Sequence, residues 1–102
     1  MKKIINGKMY DTETADIVAE ASHGAPNDFK WYREELHRKK NGEFFLFGEG
    51  NAASKYAREC EYGGCFGEGD EIIPLTADEA RHWMEKNASV EAYCEVFGTP
   101  EE

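Results

Sequence analysis

The sequence contains no apolar run near the ~20 residues that a membrane-spanning helix needs, and its mean hydropathy is -0.74. The opening Met1-Lys2-Lys3-Ile4-Ile5-Asn6 is too short in apolar residues for a signal-peptide core. A cytosolic location is therefore the expectation. Basic residues are scarce: 12 Lys and Arg face 21 Asp and Glu, a formal net charge of -9 over 102 residues. A chain of that charge repels nucleic-acid backbones and anionic membrane surfaces, which argues against direct contact with either. Cysteines number three, odd and too few for a complete disulfide framework. Enzyme fingerprints are missing too: there is no P-loop, no dinucleotide motif, no H-E-x-x-H and no G-x-S-x-G. Gly48-Glu49-Gly50 and Gly67-Glu68-Gly69 each enclose an acidic residue that would repel a phosphate, so both read as turns. A Cys–His nucleophile pair is conceivable from composition, but nothing in the sequence fixes its geometry, and the expectation is a protein that is not an enzyme.

What is present is enough for one core. The length corresponds to a single domain spanning residues 1–102, and 6 Phe, 5 Tyr and 2 Trp argue for a folded chain. Charge is uneven along it. Residues 1–51 carry 8 basic and 9 acidic side chains, and residues 52–102 carry 4 and 12. An acidic half of this kind suits docking on a basic partner, with Glu59, Glu61, Glu68, Asp70 and Glu71 as candidate contacts. The same charge also favours solubility by itself.

Local patterns predict an antiparallel sheet followed by helices. Asn6-Gly7 between Lys3-Ile4-Ile5 and Lys8-Met9-Tyr10 predicts a hairpin with a type I′ turn. Asp11 to Glu20 fits a helical turn or a further strand. Asn41-Gly42 predicts a second type I′ hairpin, between strands Phe29 to Lys40 and Glu43 to Phe47. Phe44-Phe45-Leu46-Phe47 lacks polar alternation, so both of its faces should be covered, and Gly48-Glu49-Gly50 should end that strand. Six of the ten glycines fall between Gly48 and Asp70, which predicts a long loop with room for one or two helical turns at Ala52 to Glu59. Pro74 assigns Ile72-Ile73-Pro74-Leu75 to a sheet edge or a strand end. Thr76 and Glu79 have capping-box spacing and start a helix whose apolar stripe is Ala80, Trp83 and Met84. Ser89 can cap a second helix with Val90, Tyr93, Cys94 and Phe97 on one face, stopped by Gly98 and Pro100. The fold class is α+β: a small antiparallel sheet built from hairpins, with two short C-terminal helices.

The cysteines allow several readings. Cys60 and Cys65 flank Gly63-Gly64 at C-x4-C spacing, within the range of a structural zinc knuckle. Cys94 and His82, on the two predicted helices, would complete a tetrahedron, and zinc would order a loop short of apolar residues. His23 or His37 could replace His82. Alternatively Cys94 is a small buried hydrophobe, or Cys60 and Cys65 form a disulfide.

The segments Lys3 to Ala15, Tyr32 to Gly50 and Glu71 to Ala80 together resemble a family of small acidic proteins carried by phages and conjugative elements of Gram-positive bacteria. Such proteins are also similar to type II anti-CRISPR proteins, which inhibit Cas9 by binding it directly. The resemblance implies a non-enzymatic mobile-element inhibitor of a Cas9-type nuclease, in the cytoplasm of a bacterial host. Its alternative is a zinc-stabilised accessory protein of phage or conjugative-element replication. The resemblance assigns no functional residue, and the loop with Cys60 and Cys65 departs from the family pattern.

Overall fold

A computed structural model describes residues 1–59, 63 and 66–101. Its centre is a four-stranded antiparallel sheet in the order β3-β4-β5-β8, formed by β3 (Asp16–His23), β4 (Tyr32–Arg38), β5 (Phe44–Gly50) and β8 (Gly69–Leu75). The hairpin β1 (Lys2–Ile5) and β2 (Lys8–Asp11) precedes it, and the short pair β6 (Arg58–Glu59) and β7 (Phe66–Gly67) lies between β5 and β8. Helices α1 (Ala77–Asn87) and α2 (Val90–Phe97) follow. The architecture is α+β, as the sequence predicts.

β5 explains the arrangement. Its unbroken run Phe44-Phe45-Leu46-Phe47 is buried on both faces, and successive side chains of a strand point to opposite sides. Phe44 and Leu46 join Leu36, Ala80 and Met84 beneath the helices. Phe45 and Phe47 join Tyr10 and Ile72 beneath the β1–β2 hairpin, with Tyr10 set edge-on to Phe45 at 5.5 Å. Each large apolar side chain buried this way stabilises the fold by about 1.5–3 kcal/mol. Pro74 lies on the edge strand β8, opposite Phe45, where its missing N–H breaks no ladder bond.

The Asn6-Gly7 turn has the expected positive φ at both residues, 52° and 78°. The Asn41-Gly42 turn differs. Only Gly42 has positive φ, 94°; Lys39 N–H donates to the Glu43 carbonyl at 2.8 Å and Gly42 N–H to the Lys39 carbonyl at 2.9 Å. This is a three-residue loop whose αL position is taken by glycine. The Asn41 side chain accepts from Glu43 N–H at 3.0 Å, which occupies it in the turn without a left-handed backbone.

β4 begins at Tyr32, not Phe29. Asp28 accepts from the Lys30 amide through its side chain and from the Trp31 amide through its carbonyl, which turns the chain before the strand starts. Asn51 holds that turn, donating to the carbonyls of Pro26 at 2.9 Å and Asp28 at 2.8 Å. β5 runs on through Gly50 instead of ending at Gly48. A Cβ at Gly48 would overlap the Tyr56 ring, and one at Gly50 would overlap Ser54, so these glycines are slots for close packing rather than strand breakers. Ala52 to Glu59 forms turns and β6, with no helical turn.

Both helix caps form as expected. Thr76 accepts from Glu79 N–H at 3.1 Å and its own amide donates to the Glu79 carboxylate at 2.9 Å. Ser89 accepts from Ala92 N–H at 3.1 Å. The stripe of α2 is rotated from expectation: Ala92, Tyr93, Val96 and Phe97 pack on the core, and Val90 is 76% exposed. The two-residue extended link Ala88-Ser89 sets the azimuth of α2 and leaves its first residue outside.

Candidate functional site

Of the predicted acidic contacts, Glu68 and Asp70 come together at the end of the sheet where Tyr32, Gly50 and Gly69 are paired neighbours. Glu68 leads into β8 and Asp70 lies on it, and both line a groove of about 400 Å³ with Glu49, Trp31 and Arg58. Glu59 is exposed on β6, opposite Phe66. Glu71 does not join the groove. It sits opposite Gly48 while Asp70 sits opposite Glu49, so strand alternation sends the two to opposite faces. Glu61 lies outside the described residues.

The groove is acidic and only lightly paired. Arg58 approaches Asp70 at 3.5 Å with both side chains largely in solvent, a contact worth at most about 1 kcal/mol. Glu49 is held by Arg33 at 2.5 Å, and Arg33 also binds Glu35 at 2.7 Å. Glu35 in turn meets His37 at 3.0 Å, so a chain of polar contacts runs down β4 from the groove into the core. The hydrogen bond to Glu49 raises the Arg33 pKa above its ordinary value. Burial pushes the Glu35 carboxyl up, but hydrogen bonds from His37 and Arg33 outweigh it and hold it below the ordinary value. His37 is fully buried and stacked on Phe45 at 4.9 Å; its Nδ1 has no hydrogen-bond partner among the described residues. Two aromatics close in sequence to groove residues are exposed: Phe29, in the turn before β4, is 75% exposed, and Phe66, on β7, is 60% exposed.

On the opposite face, Glu34 is buried beneath Tyr56 and α1. It accepts from the Tyr56 hydroxyl, from Trp83 Nε1 at 3.0 Å and from Lys55 Nζ at 2.8 Å. Burial opposes its charge, but these three donors outweigh burial and lower its pKa. Burial, followed by the bond to Glu34, raises that of Tyr56.

The proposed zinc ligands are only partly in view. Cys60 and Cys65 lie outside the described residues. Cys94 is half-buried on α2, and His82 is exposed on α1, where it lines a cleft with His23 and Glu34. His37, the other candidate ligand, is committed to Glu35 and Phe45. Among the described residues no group of three or more His, Cys, Asp or Glu side chains could hold a metal ion. No helix of the described residues is long and apolar enough to cross a membrane.

Sequence reasoning missed Glu49, Arg58 and Trp31 in the groove, and Glu34 on the other face. Glu49 had a signal: two residues beyond Phe47, it belongs on the face of Phe45 and Phe47 once β5 is allowed to continue. Glu34 had none, because Tyr32-Arg33-Glu34-Glu35 reads as surface charge until Tyr56 and Trp83 are seen above it. Comparison with protein-family models, with curated proteins and with solved structures finds no match.

Proposed function

We propose that the chain is a non-enzymatic inhibitor from a mobile genetic element that docks its acidic groove on a basic surface of a Cas9-type nuclease. The observation that carries the docking mode is the gathering of Glu49, Glu68 and Asp70 around one groove, with exposed Phe29 two residues before its Trp31 and exposed Phe66 two residues before its Glu68. Exposed aromatics provide contact area, and the acids, of which Glu68 has no ion pair among the described residues and Asp70 only a long one, provide steering toward a cationic partner. The choice of nuclease comes from the sequence resemblance. A structural zinc ion on Cys60, Cys65, Cys94 and His82 is part of the proposal as a stabilising element of the glycine-rich loop, supported by the C-x4-C spacing.

The test is inhibition of DNA cleavage by purified Cas9-type nucleases from Gram-positive hosts. Inhibition that is lost in the Glu68→Lys, Asp70→Lys double variant supports the reading. A wild-type chain that neither binds nor inhibits any of them removes it. Elemental analysis of chain purified without a metal-affinity tag tests the zinc: about one zinc per chain is expected, and a ratio near zero with freely titratable thiols contradicts it.

A further inference from the structure

The sheet end that carries the acidic groove on one face carries a cleft of opposite character on the other. This cleft, of about 430 Å³, lies between the strands and the last turn of α1. Lys55, Lys86, His23 and His82 converge on it, with Glu34 and Trp83 behind. We propose that it binds a small phosphate-bearing ligand, whose phosphate oxygens take hydrogen bonds from Lys55, Lys86 and His23, with His82 completing the set in the metal-free chain.

The first argument is sign. In a chain of net charge -9, two lysines and two of the three histidines line one cavity. Among the described residues the one acid lining it is Glu34, whose charge is already met by three donors. The second is preorganisation. Lys55 Nζ is fixed against Glu34 at 2.8 Å and stands 4.9 Å from the centre of the Tyr32 ring and 5.5 Å from that of Tyr56. An ammonium has three N–H donors, so donors remain for a ligand after the bond to Glu34. The third is vacancy: among the described residues no hydrogen bond or ion pair engages Lys86, and none engages the His23 or His82 ring nitrogens. The helix dipole accounts for a lysine in the last turn of α1, but not for Lys55 on a loop or His23 at the end of β3. A phosphate dianion suits this set because its several acceptor oxygens can take charge-assisted bonds from different directions at once. The volume falls in the range of small-molecule sites.

The experiment is an amide and indole NMR titration of the full chain with sodium phosphate near neutral pH, at ionic strength held constant with sodium chloride. The expected result is a saturable set of shifts confined to Trp83 Nε1–H and the amides around His23, Lys55 and Lys86. Lys86→Gln, at an exposed position where folding is undisturbed, should weaken binding at least about fivefold, and Glu68→Lys should not weaken it. A second titration with adenosine monophosphate distinguishes the source of the group. Tighter binding than inorganic phosphate identifies a phosphate ester as the natural ligand, and equal binding identifies the free ion. Shifts that chloride alone reproduces, or that survive unchanged in Lys86→Gln, overturn the proposal.

Discussion

The two ends of the main sheet both carry acidic residues and treat them differently. At the end where β4 turns into β5, Lys8 and Lys39 both reach Glu43, at 2.6 and 3.3 Å, and Lys40 reaches Asp16 at 2.9 Å. Lys2 stands 3.8 Å from Asp11 nearby. At the other end Arg33 holds Glu49 at 2.5 Å, but Glu59, Glu68 and Glu71 have no ion pair among the described residues, and Asp70 has one long contact with Arg58. Individual surface pairs contribute little to stability, so the contrast matters less for folding than for the field each end presents. One end is electrically quiet. The other offers negative charge that a cationic partner can neutralise.

The open end depends on a small amount of precise packing. Tyr56 lies on β5 only because residue 48 has no Cβ, and its hydroxyl reaches Glu34 only from there. Gly48→Ala should therefore have the largest effect, about 3 kcal/mol or more, since the ring must leave and the overlap is with a buried side chain. Urea unfolding would show it as a lower midpoint. Retention of the wild-type midpoint would mean that the loop carrying Tyr56 is not anchored as described.

Glu34→Ala comes next. It leaves the Tyr56 hydroxyl, the Trp83 indole and the Lys55 ammonium without their common acceptor, at a cost of about 2–3 kcal/mol, reduced from fully buried values because Lys55 is half in solvent. Glu34→Gln keeps one acceptor and should cost less. An equal loss in both variants would show that charge, not hydrogen bonding, holds the network.

The paired end gives the smallest effect, and it is visible in acid. Hydrogen bonds from Lys8, Asn41 and Lys39 lower the Glu43 pKa from 4.5 to about 2. A carboxylate lowered in the folded state stabilises the fold above its unfolded value, so this contribution is present above 4.5 and is lost as the pH falls toward 2. Glu34 and Glu35 are lowered as well and act with the same sign. Denaturant midpoints should fall on acidification across that window. Glu43→Gln should make the fall slightly shallower, and an unchanged slope would show that the solvent-exposed pairs there contribute nothing.

Legibility followed the same division. The hairpin at Asn6-Gly7, the buried strand Phe44 to Phe47, the edge position of Pro74 and both helix caps rest on local chemistry, and the local pattern was enough to predict them. The region from Gly48 to Asp70 was misjudged because glycine has two uses. Read alone, Gly48-Glu49-Gly50 suggests a turn; in the fold it is strand, with Tyr56 and Ser54 filling the space of absent side chains. A contact made by a residue eight positions away leaves no local mark. The acidic cluster was legible as charge, but its division between two faces depended on the β8 register, and the place of Glu34 depended on α1 folding back over β4. Val90 was misplaced for a related reason, since periodicity gives the width of a stripe and not its azimuth.

The contrast between the two ends is tested most directly by the salt dependence of association with a Cas9-type nuclease. Two variants with the same change in net charge are compared: Glu68→Lys with Asp70→Lys at the open end, and Glu13→Lys with Asp16→Lys at the paired end. Docking through the groove predicts that the first slows association by about tenfold or more at low salt and flattens its salt dependence, while the second changes it far less. Equal slowing by the two variants would show that net charge alone guides the encounter, and the acidic groove would lose its role.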